Sequence, residues 1–177
     1  MIDVSSDLPK AILFDRDGTL VVNVPYNGDA AQVQLMPGVR AALDRIRERH
    51  IPIGVVSNQS GVARNYITRL QVQEVNDRIA ELAGHIDGWF TCPHGPDDAC
   101  ECRKPQPGLI LEAAAQFGVK PQACVVIGDV GADVVAAQAA GARSILVPTS
   151  QTRAEEIEQA PETAPSLSAA VDLVLQS

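Results

Sequence analysis

A chain of 177 residues can form one domain with a substantial core, and 46% of its residues are hydrophobic. Its 22 acidic residues outnumber its 14 basic residues, and the net charge of -8 argues against a general surface for nucleic acid or anionic membranes. The sequence has no apolar stretch of about twenty residues and no secretory signal pattern, so we expect a cytoplasmic protein.

Apolar runs alternate with helical periodicities along most of the chain. After a loosely held arm over residues 1–9, buried strands are predicted over residues 10–14, 51–56, 86–91, 123–127 and 144–147. Helices are predicted over residues 37–50, 68–83, 107–117, 131–140, 152–159 and 166–175. Residues 21–36 lack a helical period and are predicted to form a flap or irregular hairpin. This alternation predicts a single domain over residues 1–177, with a three-layer, Rossmann-like α/β fold around a parallel sheet.

Within the predicted helix 68–83, Thr68 is a plausible N-cap. The inner face is predicted to carry the four apolar residues Leu70, Val75, Ile79 and Leu82. This arrangement would pack the helix against one face of the sheet.

Polar side chains follow the predicted strands where the strands end. Asp15 and Asp17 follow the first strand, Ser57 and Asn58 follow the second, and Asp129 follows the fourth. Because ligands bind beyond the carboxyl ends of parallel strands, we expect these residues to share one site. An acidic turn is an ordinary structural element. Two neighbouring carboxylates at a strand end are nevertheless unfavourable unless a cation lies between them.

The spacing of Asp15 and Asp17 predicts metal-assisted phosphoryl transfer. Asp15 is the candidate nucleophile, which would form an aspartyl-phosphate. Asp17 is the candidate acid that protonates the leaving group and the base that later activates water. Asp129 offers a further carboxylate to a hard cation such as Mg2+. Asp133 lies one helical turn later, where it either faces the same site or only begins a helix, since acids are favoured there.

Groups that could stabilise a phosphoryl group occur at two other places. Ser57 and Asn58 offer a hydroxyl and an amide at a strand end. Lys104 can neutralise phosphoryl oxygens, and Arg103 can bind a second anionic or hydroxyl-rich part of a substrate in bidentate fashion. We therefore predict catalytic functions for Ser57 and Lys104 and substrate binding for Asn58 and Arg103.

The segment before these two cations contains three thiols and one imidazole within eleven residues, at Cys92, His94, Cys100 and Cys102. Such a set is typical of a closed, tetrahedral site for structural Zn2+. We call residues 92–102 the zinc loop, and zinc bound there would fix the backbone that carries Arg103 and Lys104. The alternative is a metal-free loop with buried thiols. Cys124 stands apart in an apolar run and is predicted to be a small buried hydrophobic residue.

Four ordered motifs resemble those of the haloacid dehalogenase superfamily of phosphatases, namely Asp15-x-Asp17-Gly18-Thr19, Ser57-Asn58, Lys104-Pro105 and Gly128-Asp129-x-x-x-Asp133. The resemblance extends over about residues 10–148 and implies that superfamily's fold. It implies Asp15 as nucleophile and Asp17 as acid/base, with Ser57 and Lys104 stabilising the phosphoryl group. It also implies Mg2+ held by Asp15, Asp129 and the backbone carbonyl of Asp17.

Too few residues separate the motifs for a separate cap domain, so the flap and the zinc loop are expected to shape substrate access. The zinc loop narrows the resemblance to two branches of the superfamily, the heptose bisphosphate phosphatases and the histidinol-phosphate phosphatases. The segment from Ser57 to Arg64 and Tyr26 in the flap resemble the heptose branch, which implies that Tyr26 binds substrate. Val130 departs from the basic residue that follows the corresponding Asp in well-known members of both branches, so one substrate contact that the resemblance implies is not expected here.

We therefore expect a monomeric, Mg2+-dependent phosphatase that acts on the 7-phosphate of a heptose bisphosphate and contains structural Zn2+. Histidinol phosphate or another small sugar phosphate is the alternative substrate. An alternative of another class is an inactive, zinc-stabilised module that only binds phosphate. The intact pair of Asp15 and Asp17 argues against this module, because binding alone does not need both carboxylates.

Overall fold

The computed structural model describes residues 8–176, so the arm predicted over residues 1–9 lies outside the described part except for its last two residues. In this described part, five strands form one parallel sheet, and each agrees with its predicted bounds to within two residues. They are β1 (Ala11–Phe14), β2 (Ile53–Asn58), β3 (Gly88–Cys92), β4 (Cys124–Gly128) and β5 (Arg143–Leu146). The order across the sheet is β3-β2-β1-β4-β5, with β1 at its centre.

Within residues 8–176, six α-helices alternate with these strands or follow them. They are α1 (Val39–Glu48), α2 (Arg69–Ala83), α3 (Gly108–Gln116), α4 (Gly131–Ala140), α5 (Ala154–Gln159) and α6 (Leu167–Leu175). The start predicted for α1 is wrong, because the helix begins two residues after Pro37. Gly38 adopts a left-handed conformation with φ of 76°, and this non-helical residue is the N-cap of α1.

Apolar side chains pack on both faces of the sheet and form its two cores. Ile12 and Phe14 of β1 belong to a cluster that includes residues of α1, α2 and α6. Ala11 and Leu13 belong to a second cluster, with residues of α3 and α4. Because successive residues of a strand point to opposite faces, this alternation places one helical layer on each side. The predicted three-layer α/β fold is confirmed.

Helix α2 begins at a capping box in which Thr68 and Gln71 accept each other's backbone N–H groups. Its buried apolar residues are Val72, Val75, Ile79 and Ala83. The prediction that Leu70 lies on this inner face is wrong, since its side chain is 64% exposed. Leu70 precedes Val72 by two residues, which is about 200° around a helix and therefore on the opposite side.

The flap between β1 and α1 is the predicted irregular hairpin. Val21 pairs with Leu35 in antiparallel fashion, and the N–H of Val22 donates to the carbonyl of Gln34. A short 3-10 turn, Ala30–Gln32, lies inside it and is capped by the side chain of Asp29. Among residues 8–176, no helix has both the length and the apolar character needed to cross a membrane.

The order of the strands determines where a ligand can bind. From the central β1 the chain adds β2 and β3 on one side, then crosses to add β4 and β5 on the other. Ligands of such sheets bind beyond the carboxyl ends of the strands, where the winding reverses. In this sheet the reversal lies between β1 and β4, which are directly followed by Asp15 and Asp129.

Candidate active site

The reversal point holds a buried cluster of three carboxylates and one ammonium, which we call the acid cluster. One carboxylate oxygen from each of Asp15, Asp129 and Asp133 lies within 4.8 Å of the others. The Nζ atom of Lys104 is 2.8 Å from Asp15 Oδ1, 2.6 Å from Asp133 Oδ1 and 2.7 Å from the carbonyl oxygen of Val56. Only one cation therefore balances three carboxylates in this cluster.

The titration of these groups reflects this imbalance. Burial raises the pKa of Asp15 well above its usual range, and Asp133 and Asp129 raise it further although Lys104 opposes them. Burial and the charge of Asp133 raise the pKa of Asp129 to about 6. Burial acts to lower the pKa of Lys104, but the carboxylates of Asp133 and Asp15 outweigh it and raise that pKa. Because hard oxygen donors of excess negative charge suit Mg2+, the residues fit this cation.

Two motif glycines allow the acid cluster to form. A Cβ atom at Gly18 would overlap the carboxylate of Asp129, and Gly18 also has a positive φ of 89°. A Cβ atom at Gly128 would overlap the carboxylate of Asp133. Backbone and carboxylates therefore approach each other more closely than any other residue type would permit.

The sequence left open whether Asp133 faces the site or only begins a helix. In the structure Asp133 does both. Its Oδ2 atom accepts the N–H groups of Asp129 and Val130 at the start of α4, at 3.2 Å each. Its Oδ1 atom accepts from Lys104. Asp129 is held separately, since Thr19 Oγ1 donates to its Oδ1 at 3.1 Å and Thr152 Oγ1 to its carbonyl at 2.6 Å. Asp133 thus aligns Lys104, while both oxygens of Asp133 are bonded within the protein.

Gln59, a residue that the motifs did not point out, connects two of the predicted catalytic residues. Its Nε2 atom donates to Asp17 Oδ2 at 2.8 Å and to Ser57 Oγ at 2.7 Å. Gln59 is 5% exposed, and its backbone N–H bonds to the carbonyl of Cys92 at the end of β3. The strand-end position of Gln59 was a signal for a site residue, but the two partners of its amide could not be read from the sequence.

Asn58 holds the backbone of Lys104. Its Nδ2 atom donates to the carbonyl of Lys104, and its Oδ1 atom accepts the N–H of Lys104, at 3.0 Å in both cases. This paired contact joins the end of β2 to the segment after the zinc loop. Both amide atoms are thus engaged in positioning the catalytic candidate, and direct binding of substrate by Asn58 stays a prediction.

The four predicted zinc ligands converge at the carboxyl end of β3. The Sγ atom of Cys100 is 3.7 Å from those of Cys92 and Cys102, which are 2.9 Å apart. His94 Nδ1 is 3.2 Å from Cys102 Sγ and 3.5 Å from Cys92 Sγ. Zn–S bonds of about 2.3 Å in a tetrahedron separate two sulfurs by roughly 3.8 Å. Two of the three sulfur pairs match this separation, so the donor set fits Zn2+.

The thiols of the zinc loop differ in their ease of ionisation. Burial raises the pKa of Cys102 to about 12, and the neighbouring thiols of Cys92 and Cys100 act in the same direction. Burial also opposes ionisation of Cys100, but the backbone N–H of Arg103 and the other thiols lower its pKa to about 7. A bound cation would favour the thiolate at every position. Arg103 is tied to the same loop, since its Nη1 donates to the carbonyl of His94 at 3.3 Å.

Two cavities open beside the acid cluster. One, of about 260 Å³, is lined by Asp17, by Tyr26 and other flap residues, and by Asn58–Gly61. The other, of about 470 Å³, is lined by Arg103, Lys104 and parts of the zinc loop. Tyr26 is 44% exposed, and its ring packs edge-on against that of Tyr66 at 5.0 Å. The predicted substrate-binding residues Tyr26 and Arg103 therefore lie in different cavities around one set of catalytic candidates.

Comparisons with known proteins agree with this geometry. A family model described as HAD-hydrolase-like matches residues 101–173. A D-glycero-beta-D-manno-heptose-1,7-bisphosphate 7-phosphatase of Pseudomonas putida is 33% identical over 163 residues, which are 87% of this chain and 91% of that protein. The protein of the same name from Haemophilus ducreyi is 31% identical over 93% of this chain and 96% of its own length.

A solved structure is similar as well. The crystal structure of D,D-heptose 1,7-bisphosphate phosphatase from B. bronchiseptica, in complex with magnesium and phosphate, superimposes with a TM-score of 0.84 and 28% identity. The match covers 94% of this chain and 98% of that chain. Sequence and structural matches thus span nearly the whole chain and confirm the resemblance predicted from the four motifs.

Proposed function

The chain belongs to the haloacid dehalogenase family of phosphatases, and on this basis we propose that it removes the 7-phosphate from D-glycero-D-manno-heptose 1,7-bisphosphate. It would do so as a Mg2+-dependent phosphoric monoester hydrolase with an aspartyl-phosphate intermediate. One observation supports this proposal most strongly. The acid cluster balances three buried carboxylates with a single ammonium at the reversal point of the sheet, which leaves a place for a divalent cation beside a nucleophile.

In the first step Asp15 attacks phosphorus while the bond from phosphorus to the leaving oxygen breaks. Asp17 gives its proton to that oxygen, so that the sugar leaves as an alcohol. Asp15, Asp129 and the backbone carbonyl of Asp17 would hold Mg2+, which supplies positive charge that reduces repulsion between the phosphoryl oxygens and the carboxylates. In the second step Asp17 takes a proton from water, the water oxygen bonds to phosphorus, and Asp15 leaves as a carboxylate.

Lys104 and Ser57 would donate hydrogen bonds to the phosphoryl oxygens. An ammonium has three protons, and those of Lys104 are directed at Asp15, Asp133 and the carbonyl of Val56. When Asp15 uses its carboxylate to attack, the proton that Lys104 shares with it becomes available to the phosphoryl group. Asp133 and Val56 keep the ammonium in place during this exchange. Lys104 thus stabilises charge where it develops, without moving its backbone.

Zn2+ held by the zinc loop would have a structural role. The four ligands come from the end of β3 and the turn that follows it, and Arg103 and Lys104 come directly after the last ligand. Arg103 would bind the phosphate that is not transferred, because a guanidinium forms bidentate hydrogen bonds with phosphate. Tyr26 would contact the sugar from the flap. We further propose that the chain acts as a monomer and without nucleic acid.

The test is a phosphate-release screen with Mg2+ on the heptose bisphosphate, histidinol phosphate and other sugar phosphates. We expect kcat/KM for the heptose bisphosphate to exceed the others by at least about tenfold, because only this substrate offers Arg103 a second phosphate. Arg103→Met should reduce that preference and leave turnover of monophosphates nearly unchanged. A preference for histidinol phosphate would contradict the proposed substrate. Release from none of these compounds would favour the phosphate-binding module.

A further inference from the structure

Arg16 lies between Asp15 and Asp17 and has the largest of the fully buried side chains, with 1% exposure. Its Nε atom is 3.0 Å from Asp17 Oδ2. A buried guanidinium is costly unless it is paired and hydrogen-bonded. An ion pair between neighbours in sequence brings no distant segments together, so it does little to define the fold. Its consequence is local, because it fixes the orientation of the Asp17 carboxylate.

The second contact of Arg16 reaches across to helix α2. Its Nη1 atom donates to Asn76 Oδ1 at 3.0 Å. Asn76 is 7% exposed and stands next to Val75 on the otherwise apolar inner face of α2. A carboxamide on such a face requires a hydrogen-bond partner. Asn76 therefore holds the guanidinium at a second point, and a planar group held at two points cannot turn away from Asp17.

The two carboxylate oxygens of Asp17 differ in their hydrogen-bond partners. Oδ2 accepts from both Arg16 Nε and Gln59 Nε2, at 3.0 and 2.8 Å. Oδ1 has no hydrogen-bond partner anywhere in the described part of the chain, residues 8–176. The side chain of Asp17 is 24% exposed, and it lines the cavity that also includes Tyr26. Oδ1 is thus the oxygen that is available to a bound substrate.

We propose that Arg16, Asn76 and Gln59 are positioning residues that hold Asp17 so that Oδ1 performs both proton transfers. This inference rests on the proposed function. The proton leaves Oδ1 for the leaving-group oxygen as the bond from that oxygen to phosphorus breaks. Oδ1 then takes a proton from water as the water oxygen bonds to phosphorus and the bond between Asp15 and phosphorus breaks. Without the two donors on Oδ2, the carboxylate rotates and neither transfer is aligned.

The test uses p-nitrophenyl phosphate with Mg2+ in a stopped-flow experiment. p-Nitrophenolate leaves without being protonated, so phosphorylation of Asp15 tolerates a misaligned Asp17, whereas hydrolysis of the aspartyl-phosphate does not. For Asn76→Leu we expect a burst of about one p-nitrophenolate per active site, followed by a steady-state rate roughly 10- to 100-fold below wild type. A merely structural defect would lower the burst and the steady state together.

Three further variants sharpen this test. Gln73 and Asn76 of α2 both line a cavity of about 300 Å³ that also includes Trp89. Gln73→Leu is the matched control, because Gln73 is exposed and does not bond to Arg16. We expect it to behave as wild type. Asn76→Asp keeps an acceptor for Arg16 and should restore most of the rate lost in Asn76→Leu. Arg16→Lys keeps the charge but not the planar fork, so it should show the same burst and slow steady state.

If Asn76→Leu does not fold, Arg16→Lys provides the same readout. Wild-type steady-state rates in both variants would overturn the inference, and so would equal losses of burst and steady state. A wild-type protein without Mg2+-dependent turnover of any phosphoester would instead overturn the proposed function. The two failures are therefore distinguishable.

Discussion

The acid cluster and the zinc loop are both candidate metal sites, but they are built in opposite ways. The acid cluster takes its members from separate parts of the chain, which the sheet brings together at the ends of β1 and β4. The zinc loop takes all four ligands from eleven consecutive residues. The first site is thus a product of the whole fold and stores unfavourable charge. The second would form a local crosslink with bound Zn2+, and the binding energy of the metal would then contribute directly to folding.

The two regions meet at Lys104. Its side chain belongs to the acid cluster, while its backbone follows the zinc loop directly and is held by Asn58. If this comparison is correct, changes in the acid cluster remove catalysis and spare the fold. Changes in the zinc loop affect stability first and catalysis through the position of Lys104.

The largest effect is expected from Asp15→Asn. The amide cannot act as the nucleophile, so turnover should fall by at least about 10³-fold. The substitution also removes a buried carboxylate whose ionisation is opposed by burial, and we therefore expect the fold to be retained. Phosphate release and thermal unfolding should be measured on the same sample. Turnover near that of wild type would exclude Asp15 as the nucleophile.

The second effect tests the zinc loop. Cys102→Ser should lose zinc, lower the unfolding temperature by several degrees and reduce kcat/KM by about 10- to 100-fold, since the segment that leads into Arg103 and Lys104 is then fixed less precisely. The matched control is Cys124→Ser, because Cys124 is likewise a free cysteine but lies on β4 and outside the metal-ligand set. That variant should retain about one zinc per chain. Fully active Cys102→Ser protein without zinc would contradict the structural role of the metal.

The smallest effect is the loss of stability that buried negative charge in the acid cluster causes. Asp129 has a pKa of about 6 in the folded protein, against about 3.9 in an unfolded chain. Between these values the folded state binds more protons, so this residue lowers the free energy of unfolding as the pH rises through that window. In Mg2+-free buffer Asp129→Asn should thus be more stable than wild type by about 1–3 kcal/mol at pH 7, and by little at pH 4.

Urea unfolding at the two pH values measures this difference. The control is Asp44→Asn on the surface of α1, where hydrogen bonds from Arg40 and Arg47 lower the pKa of the carboxyl. A lowered pKa means that ionised Asp44 stabilises the fold above pH 4, so its replacement should not stabilise the protein. An Asp129→Asn variant that is no more stable at pH 7 than at pH 4, relative to wild type, would show that the acid cluster stores no such charge.

Much of this site was predictable, because its main residues follow directly from strand ends. Each apolar run correctly predicted a strand. Asp15, Ser57 and Asp129 come at or just after the ends of three of these strands. The convergence of the four candidate zinc ligands was predictable for a related reason, since all four lie close together in sequence. In both cases the relevant information is local or follows from the rule that parallel strands end at one edge.

The remaining site residues depend on contacts across long sequence separations. Arg16 and Asn76 are 60 positions apart, and each alone resembles an ordinary surface residue. Asn58 was predicted to bind substrate. The structure shows that its amide also forms hydrogen bonds with the backbone of Lys104, 46 positions away. Leu70 was predicted on the inner face of α2 because it is hydrophobic, but it lies on the side of the helix opposite to Val72. Such pairings exist only once the helices are packed on the sheet.

The central claim is that Asp15 carries the phosphoryl group, and one measurement tests it most directly. Asp17→Asn protein should be mixed with p-nitrophenyl phosphate and Mg2+, quenched in acid and analysed by peptide mass spectrometry. Because this variant lacks the base that activates water, the intermediate should accumulate, with one phosphoryl group on Asp15. Release of p-nitrophenolate without any adduct on Asp15, or with the adduct on another residue, would contradict the account.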